Sequence, residues 1–298
     1  MKKISASITY RCASVLGEGA LWDERQSKLL WVDIAQGHLH RFDPKSGTNE
    51  TFEIGVSVGS VALEDEGDVV LAVRNGIGRY DTKSNVLEML VTMEHENKNV
   101  RFNDGKCDPA GRFWAGTLSE DGASDIASLF CLENDLSLSC KISRVGISNG
   151  ICWSPEKDTM YYIDSMSQNV VAYRYSCVDG GIHSPRVVVE IDIEEGTPDG
   201  MCVDVEGMLW VALWGGGKVI RIHPRTGNRL LEVYVPNASK VTSCAFGGEN
   251  LTTLFITTAR QGLTSREESE QMDAGSLFMA EVGIQGLSTN LFRASKLI

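Results

Sequence analysis

Short apolar stretches recur along the chain at an almost constant spacing, with polar or turn-forming residues between them. Each recurrence opens with a small residue, which we call the anchor. The six anchored segments are GALWD from Gly19, SVALE from Ser60, GKCDP from Gly105, GICWS from Gly150, GMCVD from Gly200 and SCAFG from Ser243. Successive anchors are separated by 41, 45, 45, 50 and 43 residues. This spacing indicates an internal repeat.

Two further apolar runs follow the anchored segment in each repeat. The first is rich in β-branched and aromatic residues, a composition typical of a buried strand. Its six copies read LLWVDI, VVLAVR, RFWAGT, MYYIDS, MLWVAL and LFITTA. The second run comes close to alternating apolar and polar residues, as in LHRFDP and VIRIHP, and turns such as DPKSG and HPRTG close several copies. Each repeat therefore predicts three or four short strands.

Six copies of such a unit predict an all-β fold, a six-bladed β-propeller with four-stranded antiparallel blades around a central channel. A parallel β-helix has much shorter repeats, and a β-sandwich would not give six equivalent copies. No linker or low-complexity segment interrupts the pattern, so residues 1–298 are predicted to form a single domain. The N-terminal stretch ISASITYR is predicted to supply an outer strand to the last blade.

Charge and composition limit the classes of partner that the protein is expected to bind. The formal net charge is −12 and there is no basic stripe, which argues against nucleic acid and anionic membranes as partners. The sequence has neither a signal-peptide h-region nor an 18-residue apolar stretch, so we expect a cytoplasmic protein, as a monomer or a small homo-oligomer. Its eight cysteines form no CxxC pair and are expected to be reduced. Small molecules and cations remain as ligands.

The residues immediately before the six anchors provide a candidate site. They are Glu18, Gly59, Asp104, Asn149, Asp199 and Thr242. The first strand of each propeller blade lines the channel, so equivalent positions on these strands form a ring. Crowded carboxylates repel one another unless protons or a cation neutralise them. Carboxylate and amide oxygens suit a hard divalent cation, with Ca²⁺ as the first choice, Mg²⁺ or Mn²⁺ next and Zn²⁺ not excluded.

The alternative interpretation of these residues is turn chemistry, because Asp-Gly and Asn-Gly are common in hairpin turns. Glu18 is not a turn former, which favours the metal ring. Beside the ring, RFNDGK places Arg101 and Asn103 on one face of an extended segment, where they could bind hydroxyl or carboxyl groups of a ligand. The role of Asp104, as ligand, supporting residue or turn residue, stays open.

Five stretches together resemble the regucalcin/gluconolactonase family, also called the senescence marker protein family. They are LGEGALWD, NVRFNDGKCDPAGRFWAGT, ISNGICWSPEKDTMYYIDS, PDGMCVDVEGMLWVA and VTSCAFGG. The resemblance runs from about residue 14 to the C-terminus. It implies a propeller that hydrolyses sugar lactones to aldonic acids with one divalent cation.

Residue by residue, the resemblance implies that Glu18, Asn149 and Asp199 bind the metal and that Asp199 is also the catalytic base. It implies that Arg101 and Asn103 hold the substrate. The family's further acidic contact to sugar hydroxyls falls on Asp121 in an ungapped match, with Glu120 beside it. The loops 119–127 and 261–275 are candidate lids over the site.

Three other functions compete with a metal-dependent lactonase. A serine hydrolase is disfavoured, because the chain has no GxSxG and Ser148, beside Asn149, has no nearby histidine in the sequence. A non-enzymatic calcium-binding regulatory protein of the regucalcin type needs the ring but has no use for Arg101 and Asn103. A protein-interaction platform would explain the blades and leave the polar ring without a purpose.

Overall fold

The computed structural model describes residues 2–65, 68–93 and 99–295. Six sheets, each built around four antiparallel strands, form the blades of a β-propeller, which confirms the predicted fold. Neighbouring inner strands contact one another around the centre, and the sixth contacts the first, so the ring is closed. The inner strands are β3 (Gly17–Asp23), β7 (Val58–Leu63), β11 (Val100–Cys107), β15 (Ser148–Trp153), β19 (Thr197–Val203) and β23 (Val241–Gly247).

The second strand of each blade is the β-branched and aromatic run that the repeat predicts. These strands are β4 (Lys28–Asp33), β8 (Val69–Val73), β12 (Phe113–Ser119), β16 (Thr159–Asp164), β20 (Leu209–Trp214) and β24 (Thr253–Thr258). The third strands are β5 (His38–Asp43), β9 (Gly76–Asp81), β13 (Ala127–Leu132), β17 (Asn169–Tyr175), β21 (Lys218–Ile222) and β25 (Leu277–Glu281). The side chains of these two strands, together with those of the inner strands, fill the hydrophobic core, which lies between the faces of adjacent blades.

The outer strands are more exposed than the inner ones. Five of them follow in sequence: β6 (Thr48–Glu53), β10 (Val86–Thr92), β14 (Leu138–Val145), β18 (Ile182–Glu190) and β22 (Arg229–Tyr234). The sixth blade takes its outer strand from the N-terminus, because β2 (Ser7–Tyr10) pairs antiparallel with β25. This pairing joins the two ends of the chain in one sheet.

The prediction that ISASITYR supplies an outer strand to the last blade is confirmed only for the second half of this stretch. Strand β1 (Lys2–Ser5) does not join the last blade but pairs parallel with β22, as a fifth strand of the preceding blade. The backbone of Ala6 stays in contact with that blade, since its N–H donates to Tyr234 O at 2.8 Å. The chain therefore crosses from one blade to the next between β1 and β2, and it ties both together.

Helices are short. The described residues contain one α-helix, α1 (Ser265–Glu270), and two 3₁₀ turns at Ser165–Ser167 and Ile193–Glu195. Helix α1 lies in the predicted lid loop 261–275, and Thr264 caps it in a reciprocal pair with Glu267. Within the described part of the chain, no helix is long and apolar enough to cross a membrane. That residues 1–298 form one domain stays a prediction.

Candidate functional site

A β-bulge lies near the start of every inner strand. The pairing register of the inner strand with its neighbour shifts at this point in all six blades, for example between Glu18 and Leu21 in β3 and between Pro198 and Met201 in β19. A bulge re-aims the side chain it carries, and bulges are common beside active sites. The six residues that precede the anchors fall in or beside these bulges, at the same end of the channel.

Asp199 is therefore not a turn residue. It is the third residue of β19, and Asn149 and Glu18 are the second residues of β15 and β3, so all three lie within strands. The interpretation of these positions as hairpin turns is wrong. Small anchors are needed because the inner strands approach closely: a Cβ on Gly150 would lie 2.6 Å from Asp199 O.

The structure brings five of the predicted site residues together with Asp104 at this end of the channel. Their side chains are buried, with 4–6% of each residue exposed: Glu18, Arg101, Asn103, Asp104, Asn149 and Asp199. The other two ring positions, Gly59 and Thr242, carry no carboxylate or amide oxygen on their side chains. Thr242 instead donates its hydroxyl to Gly17 O at 2.5 Å, which links the last blade to the first.

Burial raises the pKa of the ring carboxyls, although the charge of Arg101 partly opposes the shift at Glu18 and that of Lys106 the shift at Asp104. Burial, and then the charge of Asp104, raises the pKa of Glu18 to about 8. Burial, and then the charges of Glu18 and Asp104, raises the pKa of Asp199 well above its usual value. Burial also raises the pKa of Asp104. Such a set of carboxyls favours protons or a cation as its partner.

The donor atoms fit a hard cation. Oδ1 of Asp199 is buried and accepts no hydrogen bond from the described residues. Glu18 adds a carboxylate whose Oε2 accepts one hydrogen bond, from the N–H of Gly19 at 3.1 Å, and Asn149 adds an amide oxygen. Three such oxygens are ligands of the kind that Ca²⁺, Mg²⁺ and Mn²⁺ prefer. Only two of the three residues are acidic, and the described residues include no metal-binding group of three or more His, Cys, Asp or Glu.

A chain of hydrogen bonds orients the two amide side chains. Nη1 of Arg101 donates to Oδ1 of Asn103 at 2.9 Å, so the two residues do share a face of β11. Nδ2 of Asn103 then donates to Oδ1 of Asn149 at 2.9 Å. Nδ2 of Asn149 donates to the hydroxyl of Ser165 at 2.8 Å, and Ser165 donates to Pro198 O at 2.6 Å. This series of hydrogen bonds ends at Pro198, the residue before Asp199.

Sequence reasoning missed Ser165. It stands directly after strand β16, as the last letter of the MYYIDS run, where nothing in the local sequence separates it from an ordinary turn serine. Its role depends on one contact with β15 of its own blade and one with β19 of the next blade, and the second exists only when the two blades pack together. The neighbouring serine, Ser148, is not available as a nucleophile, since it is fully buried and its Oγ accepts a hydrogen bond from Tyr162 at 2.8 Å.

The two candidate acids in the loop after β12 lie in different surroundings. Glu120 forms an ion pair with Arg101, with Nε and Oε1 3.5 Å apart, and it also accepts a hydrogen bond from Arg74 at 2.5 Å. Asp121 is exposed and serves its own loop, where it accepts hydrogen bonds from Ser119 and, at 3.1 Å, from Asn99. Ser119, then Asn99, lowers the pKa of Asp121. The structure thus brings Glu120, and not Asp121, into contact with the predicted substrate-binding arginine.

With this geometry in view, comparison with known proteins identifies relatives. The family described as the SMP-30/Gluconolactonase/LRE-like region matches residues 16–260. A Bacillus subtilis (strain 168) protein named "Putative sugar lactone lactonase YvrE" is 41% identical over 273 residues, which cover 92% of this chain and 93% of the relative. Regucalcin of Bos taurus is 40% identical over 277 residues, which cover 91% and 92% of the two chains.

A solved structure shares the fold along almost the whole chain. It is described as a calcium-binding protein, regucalcin, from Agrobacterium tumefaciens. It superimposes with a TM-score of 0.93 over 98% of this chain and 99% of its own, at 24% sequence identity. At this identity the similarity supports the six-bladed architecture and carries no argument about the site.

Proposed function

The chain belongs to the SMP-30/gluconolactonase/LRE-like family, and we propose that it is a cytoplasmic enzyme that hydrolyses sugar lactones to aldonic acids with one divalent cation. The single observation that carries this proposal is the meeting of two groups of residues. Oxygen donors suited to a cation lie on β3, β15 and β19, and the one on β15, Asn149, accepts a hydrogen bond directly from Asn103. Asn103 in turn bonds to Arg101, and both of these residues suit a polyhydroxylated ligand.

We assign the cation to Glu18, Asn149 and Asp199, with Ca²⁺ as the first choice and Mg²⁺, Mn²⁺ or Zn²⁺ as alternatives. When bound there, the cation would polarise the lactone carbonyl as a Lewis acid. The amide of Asn149 is held for this by Asn103 and Ser165. The buried, unpartnered Oδ1 of Asp199 supports its place in this set.

Asp199 has a second role in the proposed reaction, as general base. Its carboxylate takes a proton from the attacking water as the new C–O bond forms at the lactone carbonyl carbon. The same carboxyl then returns the proton to the ring oxygen as the ester C–O bond breaks. The immediate product is an open-chain acid with a carboxylic acid and a hydroxyl, formed with one water consumed. At neutral pH the acid ionises and releases one proton to solvent, so atoms and charges balance.

Arg101 and Asn103 position the sugar. The guanidinium of Arg101 can donate to hydroxyl oxygens, and Oδ1 of Asn103 can accept a further hydrogen bond from a hydroxyl. Both side chains are already fixed by their mutual hydrogen bond. We assign the further acidic contact to Glu120, because its carboxylate pairs with Arg101 whereas that of Asp121 is engaged within its own loop. The loops 119–127 and 261–275 remain candidate lids, since both connect second and third strands at this end of the propeller.

The experiment is a screen of aldono-1,4- and aldono-1,5-lactones, including glucono-, galactono- and arabinono-lactone, followed with a pH indicator. We expect no activity on any lactone after EDTA treatment, and recovery when Ca²⁺, Mn²⁺, Mg²⁺ or Zn²⁺ is returned. Full activity in metal-free protein would overturn the Lewis-acid role.

A second candidate function is a non-enzymatic calcium-binding regulatory protein. The names of the relatives favour it, since several are called regucalcin and one solved structure is described as calcium-binding. The same screen separates the two functions. Tight Ca²⁺ binding without turnover of any lactone would support the binding protein and reject the enzyme.

A further inference from the structure

The opposite end of the channel holds a cavity of about 310 Å³. Its walls include the last residues of several inner strands, among them Trp22 of β3, Trp153 of β15 and Phe246 of β23. The candidate active site lies near the first residues of the same strands. Ligand pockets in proteins range from roughly 300 to 1,000 Å³, so this cavity suits a small ligand of one or two rings.

The C-terminal segment 285–293 closes one side of this cavity. It crosses the end of the propeller as a strap held by backbone hydrogen bonds at both ends, from Gly286 N to Leu251 O at 2.8 Å and from Phe292 N to Leu63 O at 2.7 Å. In between, the hydroxyl of Thr289 donates to Trp22 O at 2.8 Å and Nδ2 of Asn290 donates to Cys107 O at 3.2 Å. The wall is therefore built into the fold.

The charge of the lining is opposite to that of the protein. The chain carries a net charge of −12, yet two lysines and no acidic residue are found among the described residues that line the cavity. Lys157 is exposed at the rim. Lys106 projects from β11 across the channel, where its Nζ donates to Met201 O of β19 at 2.8 Å.

An ammonium group has three N–H donors, and the described residues engage only one of those of Lys106. The lining around it combines indole rings, prolines and small apolar side chains with four neutral polar side chains, those of Ser154, Ser288, Thr289 and Asn290. An ionic hydrogen bond in such a partly enclosed site is stronger than in water. Because Lys157 is exposed, Lys106 supplies the one ammonium group that is partly buried in the described lining, and its charge matches a carboxylate monoanion. A phosphate monoester would bring a charge of about −1.5 to −2 into the same space. The aromatic and apolar part of the lining suits a ligand body that is itself apolar.

We propose that this cavity binds a small apolar carboxylate, such as an aromatic acid, with its carboxylate on Lys106 and its ring among Trp22, Trp153 and Phe246. The site is separate from the lactone-binding end and does not depend on the function proposed above. It makes the far end of the channel a second ligand site on the same inner strands.

The test is calorimetric titration of the intact protein with 2-naphthoate and with its neutral counterpart, 2-naphthalenemethanol. We expect 2-naphthoate to bind more tightly by roughly tenfold or more, because only the acid can accept a charge-assisted hydrogen bond from Lys106. Equal affinities for the two compounds would overturn the proposal without any variant. Tighter binding of phenyl phosphate or gluconate than of 2-naphthoate would also overturn it.

Variants locate the binding. Lys106→Met should reduce the preference for the acid to less than about threefold, while Lys106→Arg should keep most of it. Lys106→Gln retains an N–H donor for Met201 O and serves if the methionine variant does not fold by circular dichroism. Arg101→Ala is the matched control for the other end of the channel and should bind 2-naphthoate as the wild type does. Loss of 2-naphthoate binding in Arg101→Ala would contradict the assignment. An unchanged preference for the acid in both Lys106→Met and Lys106→Gln would also contradict it.

Discussion

Nδ2 of Asn103 donates a hydrogen bond to Oδ1 of Asn149 at 2.9 Å, and this contact joins the proposed substrate side of the site to its proposed metal side. The two residues lie on the inner strands of neighbouring blades. The amide nitrogen of Asn149 is in turn fixed by Ser165, so its oxygen has only one orientation available. A ligand oxygen that is oriented before the cation arrives loses less conformational entropy on binding.

The first prediction concerns Ser165 as a positioning residue. Ser165→Ala removes the acceptor for Asn149 Nδ2, so the amide can rotate, and metal affinity should fall by roughly tenfold, as is typical when a partner of a metal ligand is lost. The measurement is a Ca²⁺ or Mn²⁺ titration. Ser165→Thr keeps the hydroxyl and should restore affinity. The control is Ser167→Ala, on the same 3₁₀ turn but exposed, which should leave affinity unchanged. A metal affinity in Ser165→Ala equal to that of the wild type would refute the positioning role.

The second prediction concerns Asp199 as both ligand and base. Asp199→Asn keeps an oxygen for the cation but cannot accept a proton at neutral pH, so lactone turnover should fall by a factor of about a hundred or more, with weaker metal binding. Turnover is measured at saturating cation, with circular dichroism to confirm folding. Asn149→Asp is the matched control, because it adds charge without removing a donor and should still bind metal. Near wild-type turnover in Asp199→Asn would remove this residue from the mechanism.

The third prediction separates the two loop acids. Glu120→Gln removes the charge that pairs with Arg101, so kcat/KM for lactones should fall by roughly tenfold while metal affinity stays the same. Asp121→Asn should stay within about twofold of the wild type, because Asp121 contacts Ser119 and Asn99 rather than Arg101. The reverse order of effects would assign the substrate contact to Asp121.

The fourth prediction concerns stability and His40. Its ring stacks on Trp31 with centroids 4.0 Å apart, and burial, then the charge of His38, lowers the pKa of His40 from 6.5 to about 4. Between these two pH values the unfolded chain binds a proton that the folded protein does not. The free energy of unfolding should therefore fall as the pH falls through this window, by up to about 3 kcal/mol from this residue.

This effect is measured as the difference in urea midpoint between wild type and His40→Phe at several pH values from 7 to 4. His40→Phe keeps the stacking on Trp31 but cannot titrate, so its stability should depend less on pH in this window. The exposed His183 supplies the control, since His183→Gln should keep the wild-type pH dependence. Parallel curves for wild type and His40→Phe would show that His40 does not contribute.

Much of the molecule follows from local signals in the sequence. The spacing of the anchors and the β-branched runs predict six blades, because strand propensity and turn chemistry act within a few residues. The same register singles out the residues before the anchors, including Glu18, Asn149 and Asp199, and the structure brings these three to one end of the channel. A repeated fold places equivalent residues at equivalent depths, so sequence position alone predicts their proximity.

Tertiary structure decided the rest. The bulges that re-aim the ring residues, the contact of Ser165 with Asn149 and the pairing of Glu120 with Arg101 lie within single blades. They depend on strand register and on the path of the chain after the second strand, which the local pattern does not specify. The strap over the far cavity and the position of Lys106 likewise depend on how separate blades meet. Sequence patterns determine which way a strand faces, whereas contacts between blades depend on packing across the whole closed ring, and only the tertiary structure specifies them.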